Sequence, residues 1–148
     1  MIRRATAFGF ALAAPLLAGA LVPSPAPVSA QMASGKEKFL GNIVADDVPA
    51  DFGTYWNQIT PENSTKWESV EGTRDRMDWA TADAAYDYAR QHGYRFKFHT
   101  LVWGSQYPRW ITDSGLTPEQ QRAEVEEWMR LASERYPDTW AVDVVNEP

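Results

Sequence analysis

The stretch Trp140-Ala141-Val142-Asp143-Val144-Val145 runs straight into Asn146-Glu147-Pro148. It is short, mostly apolar and rich in β-branched residues, so it reads as a largely buried strand. The end of that strand presents a carboxylate beside an amide. A strand of this kind needs neighbours for its backbone and cover for its faces. The chain upstream must therefore supply a sheet and the elements that pack on it.

Phe39 to Val44 reads as a first short strand and Tyr55 to Thr60 as a second, closed by Pro61. A helix is expected from about Thr81 to His92, because Trp79, Ala82, Ala85, Tyr86 and Ala89 recur three and four residues apart. Gly93 stands where a glycine ends a helix. Arg95 to Trp103 is a third strand, and Gly104 to Gly115 a long loop. Thr117, Pro118 and Gln120 then make an N-cap, a first-turn proline and a capping box. Val125, Trp128, Met129, Ala132 and Tyr136 give the helix that follows one apolar stripe, and Trp140 to Val145 is the fourth strand.

Strands alternating with helices in this way imply an α/β fold with a parallel sheet. Strand ends bearing polar clusters point to a (β/α)8 TIM barrel, whose site residues gather at the C-terminal ends of its strands. Only about the first four β/α units are present, against roughly 250 residues for a complete barrel. The expectation is that residues 39–148 are the N-terminal half of such a barrel, with two open sheet edges that would make the isolated chain unstable or prone to aggregate.

Residues 1–30 read differently. Ile2-Arg3-Arg4 is a basic start, an apolar run extends to Val22, prolines break it, and Val28-Ser29-Ala30 supplies small residues before a cut. This is the pattern of a secretory signal peptide cleaved after Ala30. It implies export to the medium or the periplasm, with no membrane attachment once the signal is removed. Residues 31–38 are then a polar leader. Losing Arg3 and Arg4 takes the formal charge from −6 to −8. So acidic a chain does not suit a nucleic-acid partner. With no Cys and 2 His, neither a disulfide nor a thiolate or zinc metal site is expected. Seven Trp and 6 Tyr lean toward glycans, whose apolar C–H faces stack on aromatic rings.

Three strand ends carry the polar groups. They are Thr60-Pro61-Glu62-Asn63-Ser64-Thr65-Lys66-Trp67, His99 with Trp103-Gly104-Ser105-Gln106, and Asn146-Glu147. In a parallel barrel the three share one face, where carboxylate, amide, ammonium, imidazole and indole could grip hydroxyls and donate a proton. Asn63-Ser64-Thr65 also spells a glycosylation sequon, read here as coincidence inside the binding motif.

Ile59 to Trp67, His99 to Trp103 and Asp143 to Glu147 together resemble the N-terminal signatures of family 10 glycoside hydrolases, secreted endo-β-1,4-xylanases with a (β/α)8 barrel that hydrolyse with retention. The resemblance covers nearly all of Phe39 to Pro148. It implies that Glu147 is the general acid/base and that Asn146 binds the sugar 2-hydroxyl beside it. His99 and Trp103 would line the same subsite. Glu62, Asn63 and Lys66 would grip the next sugar, and Gln106 would line the cleft. The family's nucleophile, a Glu on the seventh strand, has no counterpart here. Gly104 stands where the family commonly has His, which puts subsite affinity in question, and Thr65 replaces a frequent Met with little expected consequence. The implied substrate is xylan or a xylo-oligosaccharide, with no cofactor and a monomer when complete. Two other readings stay open: another (β/α)8 glycosidase such as a cellulase, and a non-catalytic carbohydrate-binding or degenerate fragment.

Overall fold

A computed structural model describes residues 31–148. The predicted signal peptide lies outside the described residues. Four strands form one parallel sheet in the order β1-β2-β3-β4: β1 (Gly41–Val44), β2 (Gln58–Pro61), β3 (Arg95–Trp103) and β4 (Ala141–Asn146). Between them lie three single-turn helices, α1 (Phe52–Tyr55), α2 (Trp67–Val70) and α4 (Trp110–Asp113), and two long ones, α3 (Ala80–His92) and α5 (Pro118–Arg135). Spatial order equal to chain order, with every pair parallel, is the pattern of consecutive β/α units in a (β/α)8 barrel. Among the described residues, β1 and β4 each pair on one side only.

The long helices form where the periodicity places them. Ala82, Ala85, Tyr86 and Ala89 are buried on one face of α3. Gly93 closes that helix at φ 65°, a left-handed conformation that costs glycine nothing. The capping box of α5 is complete: the Thr117 hydroxyl accepts from the Gln120 N–H at 3.3 Å, and Gln120 Oε1 accepts from the Thr117 N–H at 2.9 Å.

The strand boundaries differ from expectation. β1 starts at Gly41, not Phe39, and β4 spans Ala141–Asn146 instead of Trp140–Val145. Tyr55 lies in α1, not in the second strand, because the Trp56 N–H bonds back to the Phe52 carbonyl at 3.0 Å and closes a helical turn. Asn57 then starts the sheet: its side-chain oxygen and N–H bracket the backbone of Leu40, both at 2.9 Å. The expected loop from Gly104 to Gly115 contains α4, and α2 follows directly on the Lys66 motif.

The core lies between the sheet and its two long helices. Phe96, Phe98 and Thr100 of β3 are buried on that side, and Lys97 and His99 point the other way, as strand alternation requires. Trp128 of α5 is fully buried between two parallel indoles, Trp67 at 5.9 Å and Trp79 at 5.4 Å. Its Nε1 donates to the Leu101 carbonyl at 2.7 Å, which fixes α5 to the outer half of β3. Asp83 of α3 accepts from Arg135 and from Tyr136, tying the two long helices together.

Candidate active site

β2 delivers the first cluster. Past Pro61 the Glu62 N–H still bonds to the Val44 carbonyl at 2.7 Å, so the motif starts as an extension of the sheet. Lys66 N-caps α2 and is buried. Its ammonium donates to Asn63 Oδ1 at 3.0 Å and to Gln106 Oε1. It also sits 4.6 Å from the centre of the Trp103 ring, a cation–π contact. Burial pulls the Lys66 ammonium below its usual value, while Glu62 and Glu147 pull the other way. The lysine is thus a cation partly stripped of water, with its charge aimed into the cleft.

β3 and β4 complete the arrangement. The Trp103 Nε1–H donates to Glu147 Oε2 at 3.0 Å. Glu147 adopts φ 48°, uncommon for a side-chain-bearing residue, and turns the backbone out of β4. Asn63, Gln106, Lys66, Trp103 and Glu147 therefore form one line of contacts, with exposed Glu62 beside it. A carboxylate, a cation, two amides and an aromatic face in one line can hold a chain of hydroxyls and put a proton donor at its end.

His99 and Asn146 stand slightly apart. They line an open concavity of about 490 Å³ on the inner face of the sheet, shared with Ile43, Thr60, Lys97, Asp143 and Val145. Asp143 Oδ2 takes the His99 Nδ1 at 2.8 Å and the Lys97 ammonium at 2.9 Å. With Nδ1 engaged by a carboxylate, the imidazole keeps Nε2 for another partner. Burial pushes the Asp143 carboxyl up, but the hydrogen bonds and charges of His99 and Lys97 outweigh it and hold the group below the usual carboxylate range.

Sequence reasoning missed two contributors. Asp143 was visible in the third motif, but nothing along the chain shows that it faces His99 across a parallel pair, His99 opposite Asp143. Thr65, expected to matter little, is fully buried and donates to the His99 carbonyl at 2.5 Å, linking the Lys66 loop to β3. A small hydroxyl residue inside a polar loop was the only signal. Thr65 belongs to the sequon as well; it is buried, whereas Asn63 and Ser64 are half-buried. Among the described residues no group of three or more His, Cys, Asp or Glu could hold a metal ion, and no helix is long and apolar enough to cross a membrane.

Comparison with known proteins agrees with this geometry. Endo-1,4-beta-xylanase B of Cellvibrio japonicus is 51% identical over 112 residues, covering 75% of this chain and 18% of that protein. Endo-1,4-beta-xylanase 2 of Aureobasidium pullulans is 38% identical over 97 residues, covering 64% of this chain and 26% of its own length. Among solved structures, an endo-1,4-beta-xylanase from Caldicellulosiruptor owensensis superposes with a TM-score of 0.68 at 26% identity, over 74% of this chain and 36% of that one. Xylanase 10B of Thermotoga petrophila RKU-1, in complex with xylobiose, gives 0.66 at 27% identity over the same shares. The chain thus spans between about a fifth and about a third of the length of these proteins. The barrel fold of these structures contains the same run of parallel strands. Residues 27–148 match the sequence profile of glycosyl hydrolase family 10, so the strand ends that converge on Lys66, Trp103 and Glu147 are those of a family 10 glycosyl hydrolase, and the chain belongs to that family.

Proposed function

We propose that this chain carries the acid/base side of a retaining endo-1,4-β-xylanase site, in a protein exported by a signal peptide cleaved after Ala30. The observation that carries the reading is the line from Lys66 through Trp103 to Glu147, built from three different strand ends. Glu147 is the general acid/base. Asn146 and His99 hold the sugar at the point of cleavage, and Glu62, Asn63, Lys66 and Gln106 hold the next one. Relatives named endo-1,4-beta-xylanases, and a structural neighbour named xylanase 10B that was solved with xylobiose, support xylan as the substrate.

Retention requires a second carboxylate about 5–5.5 Å from the acid. No residue of this chain matches the family nucleophile, and Glu62 occupies a sugar-binding position. The 148-residue chain by itself is therefore expected to bind xylo-oligosaccharide without cleaving it. Calorimetry with xylotriose and with cellotriose, beside a β-xyloside assay, tests this. Preference for xylotriose without turnover is the expected result. Turnover that disappears in Glu147→Gln would overturn the inactive-alone reading, and equal affinity for cellotriose would favour a different barrel glycosidase. Lys66→Met, which keeps length and removes the charge, is expected to weaken binding by about tenfold, the effect of losing roughly 1.4 kcal/mol of charge-assisted hydrogen bonding.

A further inference from the structure

The end of the molecule opposite the site holds a second built feature. Gln31, in the leader, reaches across to the N-terminal side of β2 and β3. Its Nε2 lies 2.8 Å from the Gly53 carbonyl, 3.0 Å from the Trp56 carbonyl and 2.6 Å from the Tyr94 hydroxyl. The segment behind it is folded rather than trailing: the Ser34 N–H bonds to the Gln31 carbonyl at 2.8 Å, and Ala33 is buried. The socket is shaped for this. A Cβ on residue 53 would stand 2.7 Å from the Tyr94 hydroxyl, so glycine there leaves room for the phenol. Tyr94 is in turn held against Phe52 and Tyr88, with ring centres 6.5 and 6.0 Å away.

Gln31 is the residue that cleavage after Ala30 makes the first of the mature chain. A first-position glutamine has a specific chemical fate. Its free α-amine attacks the side-chain Cδ, the Cδ–Nε2 bond breaks, ammonia leaves, and a five-membered lactam remains. No oxidant or reductant takes part. The nitrogen that leaves is the one the socket binds.

We propose that the Gln31 carboxamide is a plug that seats the mature N-terminus, and that its socket, made by Gly53, Trp56 and Tyr94, holds the residue back from cyclisation. The proposal rests on cleavage after Ala30. Seated, the amide is not free to fold back onto its own amine. Cyclisation would also remove the donor that two backbone carbonyls share.

The test is mass spectrometry of the N-terminal peptide from the full chain, exported with its own signal and incubated without added cyclase. A mature chain beginning at Gln31 with its amide intact is expected. Loss of ammonia should be roughly tenfold slower in buffer than in urea, the effect of about 1.4 kcal/mol. Tyr94→Phe should move the rate in buffer toward the rate in urea. Equal rates for wild type in buffer and in urea would overturn the plug, and that comparison needs no variant to fold. A mature chain beginning after Gln31 would also overturn it, and the measured mass tells that failure of the cleavage site from a failure of the socket. Neither outcome bears on the xylanase reading, which stands on the other face.

Discussion

At Asp143 one carboxylate oxygen meets both the His99 imidazole and the Lys97 ammonium, and pH can separate its roles. Its folded pKa lies below its ordinary value of 3.8. Its contribution to stability is therefore full above that value and is lost as pH falls through the lowered one. Asp83, held down first by its hydrogen bond from Arg135, adds a contribution of the same sign. Both side chains are about one-third exposed, so each is worth only about 1 kcal/mol or less. Asp143→Ala should flatten the loss of stability between about pH 5 and pH 2 in urea titrations. It should also free the imidazole, so nitrogen NMR of His99 should show the Nδ1 shift of the variant moving toward that of a solvated histidine. An unchanged shift would mean that Asp143 does not orient His99. Gly104 offers a gain instead of a loss. Nothing lies within 4 Å of a Cβ built there, so Gly104→His is expected to fold and, by adding a hydrogen-bonding group at the cleft edge, to bind xylotriose several-fold more tightly by calorimetry.

At the scale of elements, Glu71 is the unusual group. It caps the C-terminal end of α2 and is almost fully buried. Its carboxylate takes the Trp67 indole N–H and the Asp75 backbone N–H, both at 2.8 Å, and its carbonyl takes the Trp110 indole N–H at 2.8 Å. Burial pushes its carboxyl above the usual 4.5, in the direction opposite to Asp143. The folded state therefore holds this proton more tightly than the unfolded one, and stability from Glu71 rises as pH falls from the raised value toward 4.5. Glu71→Gln should remove that rise, read as a urea midpoint that no longer climbs across this window. Thr117→Ala opens the capping box of α5 and should cost about 1 kcal/mol, several degrees in Tm. The contrast between these two residues shows what the sequence made legible. Thr117, Pro118 and Gln120 interact within one turn, so their spacing alone identifies the cap. Glu71 joins α2, the turn at Asp75 and α4 across 39 residues of chain at its widest, and no local pattern reports such a partnership. The same division runs through the site. Lys66, Trp103 and Glu147 are marked by motifs, whereas Thr65 and Asp143 acquire their meaning only when β2, β3 and β4 lie side by side. The single-turn helices α1, α2 and α4 leave no periodic mark in the sequence, because four residues carry no period.

At the scale of the described residues as a whole, β4 is an edge strand with an exposed apolar surface. Val142, Val144 and Val145 are 43%, 49% and 52% exposed, so both faces of this edge strand show apolar side chains to water. Beside it, Phe98, Leu101, Met129, Ala132, Tyr136 and Val142 line an apolar groove of about 240 Å³ between α5 and the sheet. Among the described residues this β-branched edge has no strand on its outer side, and such an edge next to an apolar groove is a template for another strand. The chain's negative charge opposes association but is carried largely elsewhere: the Asp143 charge at this edge is already met by Lys97. The chain without residues 1–30 is expected to self-associate, with light scattering that grows with concentration. Val144→Lys puts a charge on the edge without touching the buried core and should lower the scattering several-fold while the far-ultraviolet dichroism stays the same. If scattering does not change in a variant that keeps its secondary structure, the contact lies elsewhere, and β1, whose Ile43 is 55% exposed, becomes the edge to charge next.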